Sequence, residues 1–531
     1  MKTLRILGLS LLVLLLSSLL ANSQSSVGGT WSPVAAAGAG PNSPGTALLL
    51  TDGTVIVHDG LTANWFRLTP DNKGNYDTPQ ATWTAYAALP NIGGRPYAPL
   101  YFASAVLANA QVIVEGGEYI NGETNINNPN PANAVWSTKG AIIDPRAMNP
   151  AWAAVTRPAG WGDGNMQNGT GDAQSAILPD RRFLLANALT KEAAYYTPMN
   201  NPPWIAAGTA GKLDINDEEG WNLLPNGTLL TVDAYVQQNK VGMNSEIYDP
   251  AAAKWASGGS TMALIPDVGR PLGNTHEVGP AVLRPDGTVI YFGASTLPLG
   301  NFTHNAVYNT ITKKWAPAPD PKNNQGRLLT AQDGPASILP CGKVLVEEGL
   351  GLHTPGGVIF FEWDGTNIYQ IQNQPALVPE FTFTSRMLVL PNGQVLLTDY
   401  QLRTVQVYTA NPNECPPDPG SVPVVKTAPG IISAGITYTI SGTQFNGLSQ
   451  GAAYGNDAQS ATNYPLVYLV GLLSKDVVFC TTHDHTSMGV ATGNLIVSTN
   501  FECPNTIEIG VNTLYVVANG ISSAGTPVIV E

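Results

Sequence analysis

The chain has 531 residues, of which 12% are charged, with 38 acidic against 25 basic side chains and a formal charge of −13. That balance excludes a nucleic-acid partner, because phosphate backbones are held by stripes of Lys and Arg and the sequence contains no basic run. The 55 Gly and 42 Pro suit short strands joined by many turns, and the length allows a large core with an appended domain.

The first segment, MKTLRILGLSLLVLLLSSLLANSQ, sets Lys2 and Arg5 before an apolar run from Ile6 to Leu20, followed by small residues. Ala21 and Ser23 fit the cleavage rule of a signal peptidase, so residues 1–23 are expected to be an export signal. The run is shorter than the ~20 apolar residues a membrane span needs, and no later run is longer, so the expected mature protein is extracellular, at the cell surface or periplasmic, with no span. Three sequons, at Asn168, Asn226 and Asn301, bear on glycosylation only in a host that performs it.

From about residue 24 to 415 one phrase recurs: LLLTDGTVIV from Leu48, AVLANAQVIV from Ala105, AILPDRRFLL from Ala176, NLLPNGTLLTV from Asn222, AVLRPDGTVIY from Ala281, SILPCGKVLV from Ser337 and LVLPNGQVLL from Leu388. Each copy is an apolar run, a turn of the Asp-Gly or Asn-Gly kind, and a second apolar run. This is a β-hairpin signal, read here as a two-residue turn in which Gly supplies the positive φ. Seven hairpins at a period of roughly 45–70 residues predict a seven-bladed β-propeller of kelch type, each hairpin forming the inner half of a four-stranded blade.

The outer halves end on Trp152, Trp204, Trp255 and Trp315, expected to bury between blades. The seventh repeat lacks a closing Trp and leaves through the Pro-rich NPNECPPDPGSVPVV, with residues 416–423 as linker. The missing outer strand is predicted to be the N-terminal GGTWSPVAA around Trp31, which closes the ring and removes two unpaired edges. Residues 424–531 alternate strands with Gly/Ser turns and suit a small immunoglobulin-like β-sandwich, making the chain all-β. The four cysteines allow three pairings: Cys480–Cys503 on neighbouring apolar segments is favoured, Cys341–Cys415 comes second, and buried free thiols are the alternative.

From the Trp31 strand to the closing NTLYVVANGISSAGTPVIV, the mature chain resembles the secreted galactose oxidase and glyoxal oxidase family. The resemblance implies a seven-bladed kelch propeller, an immunoglobulin-like C-terminal domain and a copper–tyrosyl radical site. It also implies a C-terminal loop that drops a His into the propeller axis, at which spot FCTTHDHTSMGV offers His485 or its neighbour His483. The other family ligands are not matched. Tyr101 stands where the cross-linking Cys falls, Asp172 at the cross-linked Tyr, Phe383 and Thr384 at the Tyr-His pair, and the stacking Trp falls near Thr190. The copper radical cofactor is therefore expected to be lost, since two imidazoles and a phenolate hold Cu(II) in such a site.

The family's ligands precede the inner strands. The same offset here gives Pro44, Tyr101, Asp172, Glu218, Val278, Asp333 and Phe383, with His276 and Glu277 before Val278 and with Asp217 and Glu219 flanking Glu218. The candidate axial cluster is thus Tyr101, Asp172, Glu218, His276, Glu277, Asp333 and His485. Three readings stand open. The carboxylates tie loops together; or Asp172, Glu218, Asp333 and His485 hold a divalent cation, calcium or a transition ion; or a carboxylate pair performs acid–base work on a glycan with His276 or His485 assisting. Crowded like charges raise at least one pKa in each of the last two. NDEEG around Glu218 is alternatively a solvated turn, and His58, His304 and His353 read as core or loop residues. The function expected is that of a monomeric extracellular binding or scaffold protein for carbohydrate or protein. The alternatives are a divergent alcohol or aldehyde oxidase and a glycan hydrolase or lyase.

Overall fold

A computed structural model describes residues 28–122, 134–162, 169–172, 174–198, 200–235, 243–268, 275–295, 303–352, 354–453 and 462–531. The export segment, His353, Asn168 and Asn301 lie outside these residues.

All seven repeats fold as hairpins, with a turn one residue longer than the sequence reading. In the first, Leu50 N donates to Thr54 O and Gly53 N donates to Leu50 O, which is a three-residue loop ending in a left-handed residue. The other six repeat this pair of bonds. Gly53, Gly227, Gly287, Gly342 and Gly393 take the left-handed position with φ of 77–83°, and Ala110 and Arg181 hold it where glycine is missing.

Each hairpin is the inner half of a four-stranded blade. Blade I is Pro44–Leu49, Val55–Asp59, Trp65–Thr69 and Thr82–Tyr86; blade II is Ala103–Val106, Val112–Glu115, Gly140–Ile143 and Ala153–Val155. Blade III is Ser175–Ile177, Phe183–Ala186, Ala193–Tyr196 and Trp204–Ala206; blade IV is Asn222–Leu223, Leu229–Val232, Asn244–Asp249 and Lys254–Ser260. Blade V is Ala281–Leu283, Thr288–Tyr291, Asn305–Asn309 and Lys314–Ala318; blade VI is Ala336–Ile338, Val344–Glu348, Ile359–Trp363 and Ile368–Gln370. Blade VII is Ser385–Val389, Val395–Asp399, Thr404–Thr409 and, as its fourth strand, the N-terminal Thr30–Pro33. The first strands line the axis, and the first strand of blade VII packs against those of blades I and VI, so the ring is closed.

The fourth strands show why aromatic residues mark these repeats. Trp255 is the cross-strand partner of Tyr248, Trp315 of Tyr308 and Trp204 of Tyr196, with ring centroids 4.9, 5.1 and 4.9 Å apart. Trp31 faces Tyr408 in the same way, its ring 5.0 Å away, so the N-terminal strand supplies the aromatic pair that the seventh repeat lacks.

After Cys415 and a short turn at Pro419–Ser421, eight strands between Val424 and Val530 form one continuous hydrogen-bonded order, with Ile521–Ser522 paired beside Gly510–Ala518, around a single core that includes Ile440, Val467, Phe501, Leu514 and Val528. This C-terminal domain covers the propeller face that carries the hairpin turns. Tyr464 Oη donates to Leu49 O, Val477 N to Asn72 O, His485 N to Ala108 O and Met488 N to Pro179 O. A further C-terminal strand, Gln450–Ala453, pairs with the inner strand of blade V and so enters the ring itself. Disulfides Cys480–Cys503 and Cys341–Cys415 are both formed; the second links the blade VI hairpin turn to the chain leaving blade VII. Among the described residues no helix is long and apolar enough to cross a membrane.

Candidate functional site

The first strands converge twice: on the hairpin-turn face, closed by the C-terminal domain, and on the opposite mouth, where the chain enters each blade. At that entry five blades place a non-glycine residue in the left-handed region: Tyr101 (φ 52°), Asp172 (φ 44°), Glu218 (φ 62°), His276 (φ 63°) and Asp333 (φ 49°). Large side chains rarely adopt this conformation, which costs on the order of 1–3 kcal/mol per residue and persists only where the surroundings impose it. Backbone bonds impose it here, since Glu218 N donates to Asp172 O, Asp333 N to Val278 O and Glu118 N to Tyr101 O. The first two of these bonds join neighbouring blades, III to IV and V to VI, and the third lies within blade II.

The carboxyls of blades II to V gather into two hydrogen-bonded pairs, Glu118 with Asp172 and Glu218 with Glu277. Asp217 interacts with both Asp172 and Glu277, and its Oδ2 accepts from Tyr235 Oη at 2.5 Å. Burial first, then these neighbours, raise the carboxyls of Glu118, Asp217 and Glu218 well above the usual range, and Glu277 is pushed up to about 8. Two carboxyls in hydrogen-bond contact share a proton, so each pair carries about one charge rather than two. Tyr235 stacks on His276 with centroids 4.1 Å apart and planes 8° from parallel, and His276 Nδ1 lies 3.0 Å from Ala234 O. Both rings are half-buried and offer an aromatic edge beside the acid pairs.

Across the mouth stand Tyr101 and Tyr400, their hydroxyls 3.0 Å apart, with the Arg386 guanidinium 6.0 Å from the Tyr101 ring and Asp333 close enough to act on both phenols. The structure therefore brings Asp172, Glu218, His276 and Glu277 together and sets Tyr101 and Asp333 in a second group at the same mouth.

His485 does not join them. Its backbone bonds to Ala108, beyond the far end of the blade II inner strand, while its Nδ1 lies 2.9 Å from Thr499 Oγ1 and its ring stacks on Tyr464. An inner strand of 4–6 residues separates that position from the mouth by roughly 13–20 Å. Burial depresses the imidazole to about 3, so it is a neutral packing group on the face covered by the C-terminal domain. The segment that enters the ring is Gln450–Ala453, without histidine or cysteine. A cation site of Asp172, Glu218, Asp333 and His485 is excluded by this placement. The copper set does not fit either, since Thr384 Oγ1 is donated to Asp399 Oδ2 at 2.6 Å and the sole matching histidine lies at the wrong end of the strands.

NDEEG is not a solvated turn: Asp217, Glu218 and Glu219 are 5%, 8% and 0% exposed. The first two face the mouth, while Glu219 turns into blade IV, where Lys212 Nζ lies 2.7 Å from Asp214, 2.5 Å from Glu219 and 2.9 Å from Glu246. With Asp233 these carboxylates place four ligand atoms within 4.8 Å of one another, and no other group so tight occurs among the described residues. Lys212, over the Trp255 ring at 5.0 Å, is its cation. The sequence reading missed Lys212, Glu118, Tyr235 and Tyr400. It also missed a repeated polar residue ending the second strands, Asp59, Glu115, Asn187, Asp233, Glu348 and Asp399, which HDG, VEGG, ANA, VDA, EEG and TDY display. Where its bonds are seen, this residue ties loops: Asp59 accepts from Ser43 N, Asn187 from Gly169 N and Asp399 from Leu402 N.

No family model matches the chain, and no curated protein matches it in sequence. Solved structures of similar fold include a catalytically inactive virginiamycin B lyase from Staphylococcus aureus with quinupristin, at 10% identity over 73% of this chain and 97% of that one, TM-score 0.41. A Trichoderma reesei enzyme of carbohydrate-active family AA12 matches at 13% identity over 73% and 97%, TM-score 0.37. YCF48 from Cyanidioschyzon merolae matches at 9% over 71% and 98%, TM-score 0.39.

Proposed function

We propose that this is an exported binding protein that takes an extracellular carbohydrate in the mouth of its propeller and does no copper radical chemistry. The observation that carries this reading is the pairing of carboxyls Glu118–Asp172 and Glu218–Glu277 beside the half-buried Tyr235–His276 stack. Carboxylates accept from vicinal hydroxyls and flat rings pack against a sugar face, which is what a polyol site requires. The likeness of the repeat pattern to the galactose oxidase group supports an immunoglobulin-type C-terminal domain and a propeller whose oxidase ligands have been replaced. The two disulfides fit an oxidising compartment outside the cytosol. A second reading is favoured by Glu277, which burial and its neighbours keep protonated up to about pH 8. It is then a general acid for a bound glycan, with Asp172 as base. Affinity electrophoresis in gels containing soluble polysaccharides tests the proposal: retardation by at least one of them, lost in Glu218→Gln with Glu277→Gln, is expected. Uniform migration in all gels contradicts it, and peroxide release from copper-loaded protein with galactose or glyoxal contradicts the loss of oxidase chemistry.

A further inference from the structure

The sheet of the C-terminal domain ends in the order Leu466–Gly471, Gly510–Ala518, Thr526–Val530 and Ile431–Ile432. Alternation turns Leu514, Val528, Val530 and Ile432 into the core, so Val511, Ile529 and Ile431 stand on the opposite face. Ile529 is the cross-strand partner of both Val511 and Ile431, and Leu472 N donates to Val511 O. Leu472, Val511, Ile529 and Ile431 thus form one row across four strands, which Ile509 and Leu473 extend. All six are between 46% and 85% exposed. Glu508 fixes the turn that carries the two leucines: Leu473 N donates to its Oε1 at 3.0 Å and Ser474 N to its Oε2 at 2.9 Å. Asp476 ties the same turn to blade I through Asn72 and Lys73, each at 2.8 Å. Farther along this face, Leu466 and Val517 belong to the core shared with blade I, so the open row continues a surface that already docks on the propeller.

Six aliphatic side chains so exposed reach the about 300–600 Å² that is the largest apolar patch of a typical monomer. A stable contact takes about 800 Å² from each partner, somewhat more than half of it apolar. This patch supplies that apolar share, with Lys475 and Glu508 at its rim. Charge favours a second copy as the occupant. At −13 per chain, two copies meet only where acid is scarce, and the four strands contain no Asp, Glu, Lys or Arg. A foreign partner gains no steering from an uncharged face. A lipid surface calls for a cluster of Lys and Arg, whereas Lys73 beside the turn is already paired with Asp476. Pairing edge to edge is disfavoured, since the edge strand is two residues long and its neighbour carries Pro527. We propose that two copies of this protein, in place of the monomer expected from its sequence, pack this face against itself about a two-fold axis, sheet on sheet, with Ile529 at the centre.

Sedimentation equilibrium up to roughly 100 µM protein tests this, well above the micromolar dissociation constants at the weak end for interfaces of this size. The wild type is expected to be a dimer. Ile529→Lys and, independently, Ile509→Lys are expected to weaken it at least tenfold, while Ile311→Lys, at a similarly exposed residue of blade V, leaves it intact. Hydrogen–deuterium exchange of the wild type at high and low concentration needs no variant, and added protection at high concentration is expected in residues 470–474 and 508–512. A protein monomeric at every concentration overturns the inference. So does a dimer that both C-terminal variants leave intact, that Ile311→Lys dissolves equally, or that protects other segments instead. Co-sedimentation of the wild type with phosphatidylcholine vesicles, lost in Ile509→Lys, overturns it in favour of a lipid surface.

Discussion

Lys212 is the plainest case of a buried charge fixing its surroundings. It is 4% exposed, and its ammonium meets three carboxylates within 2.9 Å, so the positive form is favoured although burial alone opposes it. Replacing it by Met leaves Asp214, Glu219, Asp233 and Glu246 without their cation. A loss of about 3–5 kcal/mol is expected, the usual cost of breaking a buried pair from one side. Urea unfolding of Lys212→Met measures it; an unchanged midpoint contradicts the account. The raised carboxyls give a second prediction. A group whose folded pKa lies above its unfolded value favours the fold at low pH. For Glu277, raised from 4.5 to about 8, and Asp233, raised from 3.8 to about 8, that contribution is complete below about pH 4 and is lost as pH rises through 8. Each contributes a slope of up to about 1.4 kcal/mol per pH unit. The melting temperature should therefore be higher at pH 5.5 than at 8.5, with a smaller difference in Glu277→Gln; a protein more stable at 8.5 contradicts this. Asp172, Glu218 and Glu277 were legible in the sequence because the repeat gives each blade an equivalent position. Glu118, Tyr235 and Tyr400 follow the second strands instead, outside the offset counted from the hairpin turns. His485 was misplaced because register along a strand does not state which propeller face a separate domain covers.

At the scale of elements, the N-terminal strand was readable from a deficit, since the seventh repeat lacked the aromatic outer strand that Trp31 supplies. Thr30–Pro33 pairs along its whole length with Thr404–Thr409, and Trp31 also meets Phe360 of blade VI at 4.8 Å. Removing Gly28 to Ala35 opens blade VII on an edge and uncovers Tyr408. A fall of about 3–5 °C in melting temperature is expected, corresponding to a few kcal/mol in a domain of this size. A truncated protein that melts with the full chain contradicts ring closure by this strand. Cys341–Cys415 fastens the same region, closing a loop of 74 residues, so replacing both cysteines by Ser should cost about 2–4 kcal/mol in thermal or urea unfolding. The hairpins were legible in existence but not in length, because a Gly after Asp or Asn fits both a two-residue turn and a three-residue turn with a left-handed third position.

For the whole molecule, the repeat period announced a seven-bladed ring, since each hairpin buries its faces only against its neighbours. What the repeat does not carry is the asymmetry between the two faces. The C-terminal domain closes the hairpin-turn face through Tyr464, Met488 and Val477, while the acid pairs and the Tyr235–His276 stack belong to the opposite mouth. Such docking depends on surface contacts scattered over several blades, which no local pattern records. The central claim, that this mouth is where the protein meets its ligand, is tested most directly by hydrogen–deuterium exchange with and without a saturating oligosaccharide that binds. The account predicts added protection in peptides spanning residues 114–120, 169–178, 214–223 and 275–283, with little change in residues 464–490. Protection confined to the C-terminal domain or to the hairpin turns, with the mouth peptides unchanged, would contradict it.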